Sequence, residues 1–291
     1  MTSHIFNPYI HSEMKVGDVE LSLVSDGAIR VDGGLMYGAV PKVTWKTLSP
    51  ADSKNRVLLG LNCLLIRSGD KIILVDTGAG SKHTSHNKTV FAMKTGELIN
   101  GLKAHGLGVE DINLVALTHL HFDHVGGCTR RSYGGEPVPT FPNATYLVQR
   151  QDWEEATHPS ERAIGAYMTE DFLPLEESRQ LELLDGDTEI ASGVWLRVTG
   201  GHTRGHQIVT IESGDRKVAC LGDVLPTAHH LPLHYIGAGD IHPADTLECK
   251  RRLLGQAVKE RWLLLLSHGH RLRAGYPVQK DGHVTLEPHE L

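Results

Sequence analysis

Four side chains able to bind a metal fall within six residues of the run Thr118-His119-Leu120-His121-Phe122-Asp123-His124-Val125-Gly126-Gly127. In an extended or turning backbone His119 and His121 point the same way, because side chains alternate with period two. Asp123 and His124 lie just past a strand-like run, where the chain turns and can aim both at a second ion. Gly126 and Gly127 let the backbone turn closely with no Cβ in the way. Imidazole and carboxylate donors in two sets suit a pair of divalent ions, zinc by default, with iron, cobalt or manganese as alternatives. Two such ions ~3.5–4 Å apart can hold a hydroxide between them and polarise a carbonyl or phosphoryl oxygen. Hydrolysis of a small molecule is the expected chemistry.

Three later segments supply what this run lacks. Gly201-His202-Thr203-Arg204-Gly205-His206 places His206 at the start of a strand. Cys220-Leu221-Gly222-Asp223 puts a carboxylate at a strand's C-terminal end, and Ser267-His268 does the same for a histidine. Ligands at the ends of several strands are how a rigid scaffold brings together residues remote in sequence. The remaining histidines divide less clearly. His202 and His270 stand near ligands without an assigned place and are read as structural or solvent-facing. His229, His230 and His234 belong to a histidine-rich loop that could line a pocket.

The elements that must position these groups show in the pattern of apolar residues. Strands are expected over residues 19–27, 110–118, 145–148, 193–199, 207–211, 217–221 and 262–266. A hairpin is expected from residues 62–67 and 71–76 across Ser68-Gly69-Asp70. Helical spacing covers residues 94–105, a turn or more through Trp153 and Glu155, and residues 243–259. Residues 32–50 read as a loop carrying Met36, Tyr37 and Trp45. Two strand-rich halves with helices between suggest two sheets packed face to face with helices outside, an α/β arrangement forming a single domain over residues 1–291.

Composition narrows the partners. With 291 residues, 40% of them hydrophobic, the chain can bury a full core. The formal charge of -6 and the scattered lysines and arginines argue against nucleic acid, which calls for a basic patch. No apolar run approaches the ~20 residues that span a bilayer. The opening Met1-Thr2-Ser3-His4-Ile5-Phe6-Asn7-Pro8 lacks the layout of a secretion signal. The four cysteines form no Cys-x-x-Cys and read as reduced thiols, so the expected location is the cytoplasm.

These motifs, together with Val75-Asp76-Thr77-Gly78, resemble the metallo-β-lactamase superfamily in both type and order. The resemblance implies an αββα sandwich with the site at one edge. It implies one metal held by His119, His121 and His206, a second held by Asp123, His124 and His268, and Asp223 bridging them. Asp76 would orient ligand histidines. An aspartate at 223, where the commonest two-zinc β-lactamases have cysteine, argues against antibiotic cleavage. His121 stands where di-iron oxidoreductases of this fold carry glutamate. The short run after His268 leaves no room for the helical domain of glyoxalase II.

What remains is similar to the quorum-quenching N-acyl-homoserine lactonase branch, with the methyl-parathion-hydrolase type of phosphotriesterase as neighbour. The stretch Asp32-Gly33-Gly34-Leu35-Met36-Tyr37-Gly38-Ala39-Val40-Pro41-Lys42 resembles one found in such lactonases. Pro226 replaces a tyrosine that some of them carry, and Tyr235 or a nearby histidine is the candidate substitute. A mononuclear-iron sulfur dioxygenase is the alternative outside hydrolysis. Asp123 is the expected proton shuttle. A homodimer is expected, with residues 32–45 at the site rim or at the subunit contact, since an exposed loop bearing Met36, Tyr37 and Trp45 needs covering.

Overall fold

The computed structural model describes residues 13–291, so the opening residues read for a secretion signal lie outside it. The first sheet begins with β1 (Glu13–Val16), β2 (Val19–Asp32), β3 (Arg56–Ser68), β4 (Lys71–Val75), β5 (Lys94–Thr95) and β6 (Leu114–Ala116). A separate ribbon is formed by β7 (Thr129–Arg131) and β8 (Pro137–Pro139), and the sheet then closes with β9 (Thr145–Gln149) and β10 (Leu181–Leu184). Its order is β1-β2-β3-β4-β6-β9-β10, with β5 pairing β2. The second sheet runs in chain order through β11 (Thr188–Ala191), β12 (Val194–Val198), β13 (Gln207–Ser213), β14 (Arg216–Cys220), β15 (Leu263–Leu265), β16 (Ala274–Lys280) and β17 (His283–Pro288). Both sheets are mixed: β4, β6, β9 and β10 run parallel in one, β14 and β15 in the other.

The central strands are continuously apolar because both of their faces are buried. Leu64, Ile66, Ile73 and Val75 point inward and meet Val209, Ile211, Val218 and Leu265 of the other sheet. Their neighbours Cys63, Leu65 and Leu74 point outward into a second cluster. Ala219 and Leu264 likewise point away from the interface between the sheets. Each buried leucine, isoleucine or valine stabilises the fold by about 1.5–3 kcal/mol relative to exposure.

Residues 32–50 are not the loop expected from two prolines and several glycines. They hold α1 (Gly33–Tyr37) and α2 (Lys42–Trp45). Asp32 starts α1 by accepting from the backbone N–H groups of Gly34 and Leu35, a cap that outweighs the poor helix propensity of two glycines. Tyr37 and Trp45 are buried and stack with ring centroids 5.3 Å apart, so this chain covers them itself. Leu35, Val43 and Leu48 remain exposed.

Further helices complete the layers. After α3 (Ser85–Val90), α4 (Leu98–Ala104) packs Leu98 and Leu102 on the first sheet. The turn after β6 forms α5 (Phe122–Val125). Trp153 and Ala156 of α6 (Arg150–Thr157) and Leu175 of α7 (Leu173–Glu177) join the same cluster as α4. On the second sheet α8 (Pro243–Glu260) buries Cys249, Leu253, Leu254 and Ala257. Pro243 at its start and a left-handed Arg261 at its end bound it. The layers are therefore α, β, β, α. At one edge of the sandwich the C-terminal ends of the parallel strands β4 and β6 face those of β14 and β15, and there the chemistry-bearing residues collect.

Candidate metal centre

Asp76 follows β4 directly and holds an uncommon left-handed backbone, φ 56°. Its Oδ1 accepts from the Thr118 backbone N–H at 2.8 Å and its Oδ2 from the Thr118 hydroxyl at 2.9 Å. The same Oδ2 lies 2.8 Å from His124 Nδ1. Asp76 thereby fixes both the strand end and a histidine ring, the orienting role expected for it, and its strained backbone sits at the functional edge. The Gly126 position shows why the turn after His124 needs glycine. A Cβ there would stand 2.0 Å from the Ala79 carbonyl oxygen.

Four histidines have their Nδ1 committed outward. His119 Nδ1 lies 3.0 Å from the Thr118 hydroxyl, itself a donor to Asp76. His124 is tied to Asp76, His268 donates to the Gly60 carbonyl at 2.9 Å, and His202 lies 3.1 Å from Asp240 Oδ1. A neutral imidazole carries one N–H, so in each ring Nε2 is left as a lone pair. Those lone pairs point at one another. His124 Nε2 and His268 Nε2 are 3.1 Å apart. His121 Nδ1 is 3.1 Å from His119 Nε2 and 3.0 Å from His202 Nε2.

Asp223 stands between the two groups. One carboxylate oxygen is 3.3 Å from His124 Nε2 and 3.1 Å from His268 Nε2, and the other is 3.4 Å from His202 Nε2. Asp123 Oδ2 completes the second group, 3.6 Å from His268 Nε2. Donor atoms close enough to share an ion come from His119, His121 and His202, from His119, His124 and Asp223, and from Asp123, His124 and His268. Convergent buried lone pairs with a carboxylate between them fit bound divalent metal.

The electrostatics agree. Burial, then neighbouring imidazoles, holds His119 and His121 well below the ordinary histidine range. Burial opposes charge on His124, His202 and His268 too, but the Asp223 carboxylate, helped by Asp76 at His124 and Asp240 at His202, raises all three. Asp223 is driven well below the usual carboxylate range, because those histidines outweigh its burial. The centre demands positive charge, which protons or a divalent ion can supply.

One residue expected as a ligand lies outside these groups. His206 reaches none of the three groups. Its Nε2 accepts the Asp223 backbone N–H at 3.0 Å, and its Nδ1 lies 2.6 Å from the Thr199 hydroxyl. The preceding histidine of the same motif, His202, takes the place expected for it. The sequence offered both, and spacing alone did not separate them. Asp240 carries no signal in the sequence, because a carboxylate remote along the chain does not show that it faces His202. His270 stays outside the groups. His230 lines the cavity but is committed, its Nε2 donating to the Met36 carbonyl at 3.0 Å and its Nδ1 lying 2.8 Å from the Thr227 hydroxyl. Burial lowers its pKa to about 4.

Above the centre lies a cavity of 360 Å³. Its floor is formed by His121, Asp123, His202, Asp223 and His268, and much of its wall by Leu35, Met36, Phe91, Phe122 and Ile236. Tyr235 also lines it, and its hydroxyl has no hydrogen-bond partner among the described residues. Among the described residues, no helix is long and apolar enough to cross a membrane.

The chain belongs to the metallo-beta-lactamase superfamily, whose family description matches residues 57–268. It is 31% identical over 179 residues to an N-acyl homoserine lactonase from Bacillus cereus, a stretch covering 57% of this chain and 63% of that one. The chain thus matches less than two thirds of the length of such curated relatives. A probable metal-dependent hydrolase from Staphylococcus aureus superposes with a TM-score of 0.86 at 28% identity, covering 96% of this chain and 100% of that one. An N-acyl homoserine lactone hydrolase, solved with the product N-hexanoyl-L-homoserine at its catalytic metal centre, superposes with a TM-score of 0.66 at 27% identity. That match covers 86% of this chain and 92% of the other.

Proposed function

We propose that this protein is a metal-dependent hydrolase that opens lactone rings of the N-acyl homoserine lactone type. The observation that carries the reading is Asp223 held between two groups of nitrogen donors at the floor of a largely apolar cavity. The identity to lactonases supports the substrate class. His119, His121 and His202 would hold one divalent ion, Asp123, His124 and His268 the other, and Asp223 both. Nitrogen-rich donors favour zinc. Two bound ions would supply a water nucleophile at neutral pH and withdraw charge from the attacked carbonyl.

The chain's own residues do the rest. Asp123 offers one oxygen toward the His268 group and keeps the other for the proton of the attacking water, which it returns to the leaving alkoxide. Tyr235, which lines the cavity, would donate to an oxygen of the substrate, taking over from the tyrosine that Pro226 replaces. Leu35, Met36, Phe91 and Phe122 receive an apolar acyl chain and keep water from the floor. The exposed Val43 of α2 and Leu48 just beyond it support a homodimer contact beside α2.

The test is metal analysis joined to a substrate panel of acyl-homoserine lactones, phosphotriesters and thioesters. The reading expects about two ions per chain and the highest kcat/KM on lactones. A preference for phosphotriesters would select the phosphotriesterase, and a single tightly bound iron the sulfur dioxygenase.

A further inference from the structure

Residues 236–241 line the cavity without interruption, and the same segment reaches the centre from behind. Asp240 within it is buried and lies 3.1 Å from His202 Nδ1 through Oδ1, while its Oδ2 accepts the Thr246 hydroxyl at 2.6 Å. Two backbone hydrogen bonds follow, from Ile241 N–H to the His202 carbonyl and from His242 N–H to the Gly201 carbonyl, both 2.9 Å. The far side of the segment is held twice. Ala238 donates its N–H to the Leu35 carbonyl at 2.7 Å. Arg162, from the wall segment beyond α6, donates to the Ala238 carbonyl at 2.6 Å and reaches the Asp240 carbonyl at 3.5 Å.

We propose that Asp240 is a positioning residue that aims the His202 imidazole at its ion, and that Arg162 clamps the cavity-lining segment carrying it, so that the cavity wall and metal affinity are coupled. This rests on the reading of His202 as a ligand. A histidine ring with Nδ1 fixed by a carboxylate has one tautomer and one orientation, which makes Nε2 a better donor. Thr246 occupies the second oxygen of Asp240 and stops the carboxylate turning away. Gly237 and Gly239 give the segment little stiffness of its own, so its position depends on the two outside ties. Loosening the clamp at the cavity mouth therefore reaches His202, although among the described residues Arg162 makes no hydrogen bond or ion pair to a candidate ligand.

The test is ion affinity, read by competition between the purified protein and a chromophoric zinc chelator. Asp240→Ala is expected to weaken one of the two ions by about 10- to 100-fold. Asp240→Asn, whose amide oxygen can still accept from His202, should recover most of that loss. Arg162→Ala should weaken the same ion by about 3- to 10-fold, in the range of remote coupling. Arg162→Lys should fall between, and Arg251→Ala, an exposed cation on α8, should change nothing. Parent-like affinity in Asp240→Ala overturns the positioning role. Equal weakness in Asp240→Ala and Asp240→Asn traces the effect to charge and overturns the orientation argument. Parent-like affinity in Arg162→Ala overturns the clamp. Fewer than two ions in the parent itself would defeat the two-ion reading instead, so the two failures are separable.

Discussion

His206 Nε2 accepts the backbone N–H of Asp223 at 3.0 Å, so the second histidine of Gly201-His202-Thr203-Arg204-Gly205-His206 supports the Asp223 main chain and stays outside the three groups of donor atoms. The approach is close enough that Gly222, at φ 52°, has no alternative: a Cβ there would lie 2.5 Å from that same nitrogen.

The two histidines should therefore separate on mutation. His202→Ala is expected to lose one of two ions after dialysis. His206→Ala should keep both but bind them about 10- to 100-fold more weakly, as expected when an outer partner is removed. Metal analysis of the two dialysed variants checks this; the reverse ranking would return His206 to the ligand set.

Asp123→Asn isolates proton transfer. The amide still offers an oxygen to an ion but cannot carry a proton. Turnover is expected to fall by about 10²-fold or more with ion content unchanged. A variant with both ions and most of its turnover would move the shuttle elsewhere, with Tyr235 the next residue to replace.

Asp26 predicts a pH dependence of stability. It is buried beneath the 76–80 loop and accepts backbone N–H groups from Gly80, Gly96 and Leu98. Burial nevertheless raises its pKa from 3.8 to about 6. A carboxyl raised on folding contributes stability that is fully present below about pH 4 and lost as pH rises through about 6. The stability gap between the parent and Asp26→Asn should thus shift against the parent across pH 4–6, by roughly 2–3 kcal/mol at most. Urea titrations at several pH values measure it; a constant gap would refute it.

Lys82 and Asp171 form a buried ion pair at 2.5 Å, and Lys82 also donates to the Gly126 carbonyl. Lys82→Met leaves Asp171 buried without its partner and should cost about 3–5 kcal/mol. Lys82→Met with Asp171→Leu should recover much of this, because neither charge then remains. Denaturant midpoints of the single and double variants decide the matter. Additive losses would show that the two residues act independently.

The fold was legible where apolar runs were long. Residues 207–211, 217–221 and 243–259 match β13, β14 and α8 closely, since strands buried on both faces and an amphipathic helix write themselves into hydrophobicity. β16 and β17 do not stand out in the sequence, because their outward residues, among them Gln279, Lys280, Glu287 and His283, dilute the alternation at a sheet edge. The helices of residues 33–45 were hidden by Gly33, Gly34 and Pro41, whose propensities a capping aspartate and the Tyr37–Trp45 stack override. Within the site, six of the seven expected residues converge, because dense motifs at strand ends leave few alternatives. The choice between His202 and His206 depended on which ring the chain's turn aims inward. Residue spacing does not encode that direction.

The donors are divided between the sheets. Asp123 and His119, His121 and His124 follow β6 of the first, whereas His202, Asp223 and His268 belong to the second. Neither sheet alone completes either group: the first lacks His202, and the second lacks Asp123 and His124. Ion loading would then act as a clasp across the sandwich, adding RT ln(1 + [M]/Kd) to stability, about 4 kcal/mol at a thousandfold excess over Kd. A chain whose halves had docked out of register would present only fragments of each group and bind ions poorly, so that retained metal would distinguish correctly assembled molecules from misassembled ones.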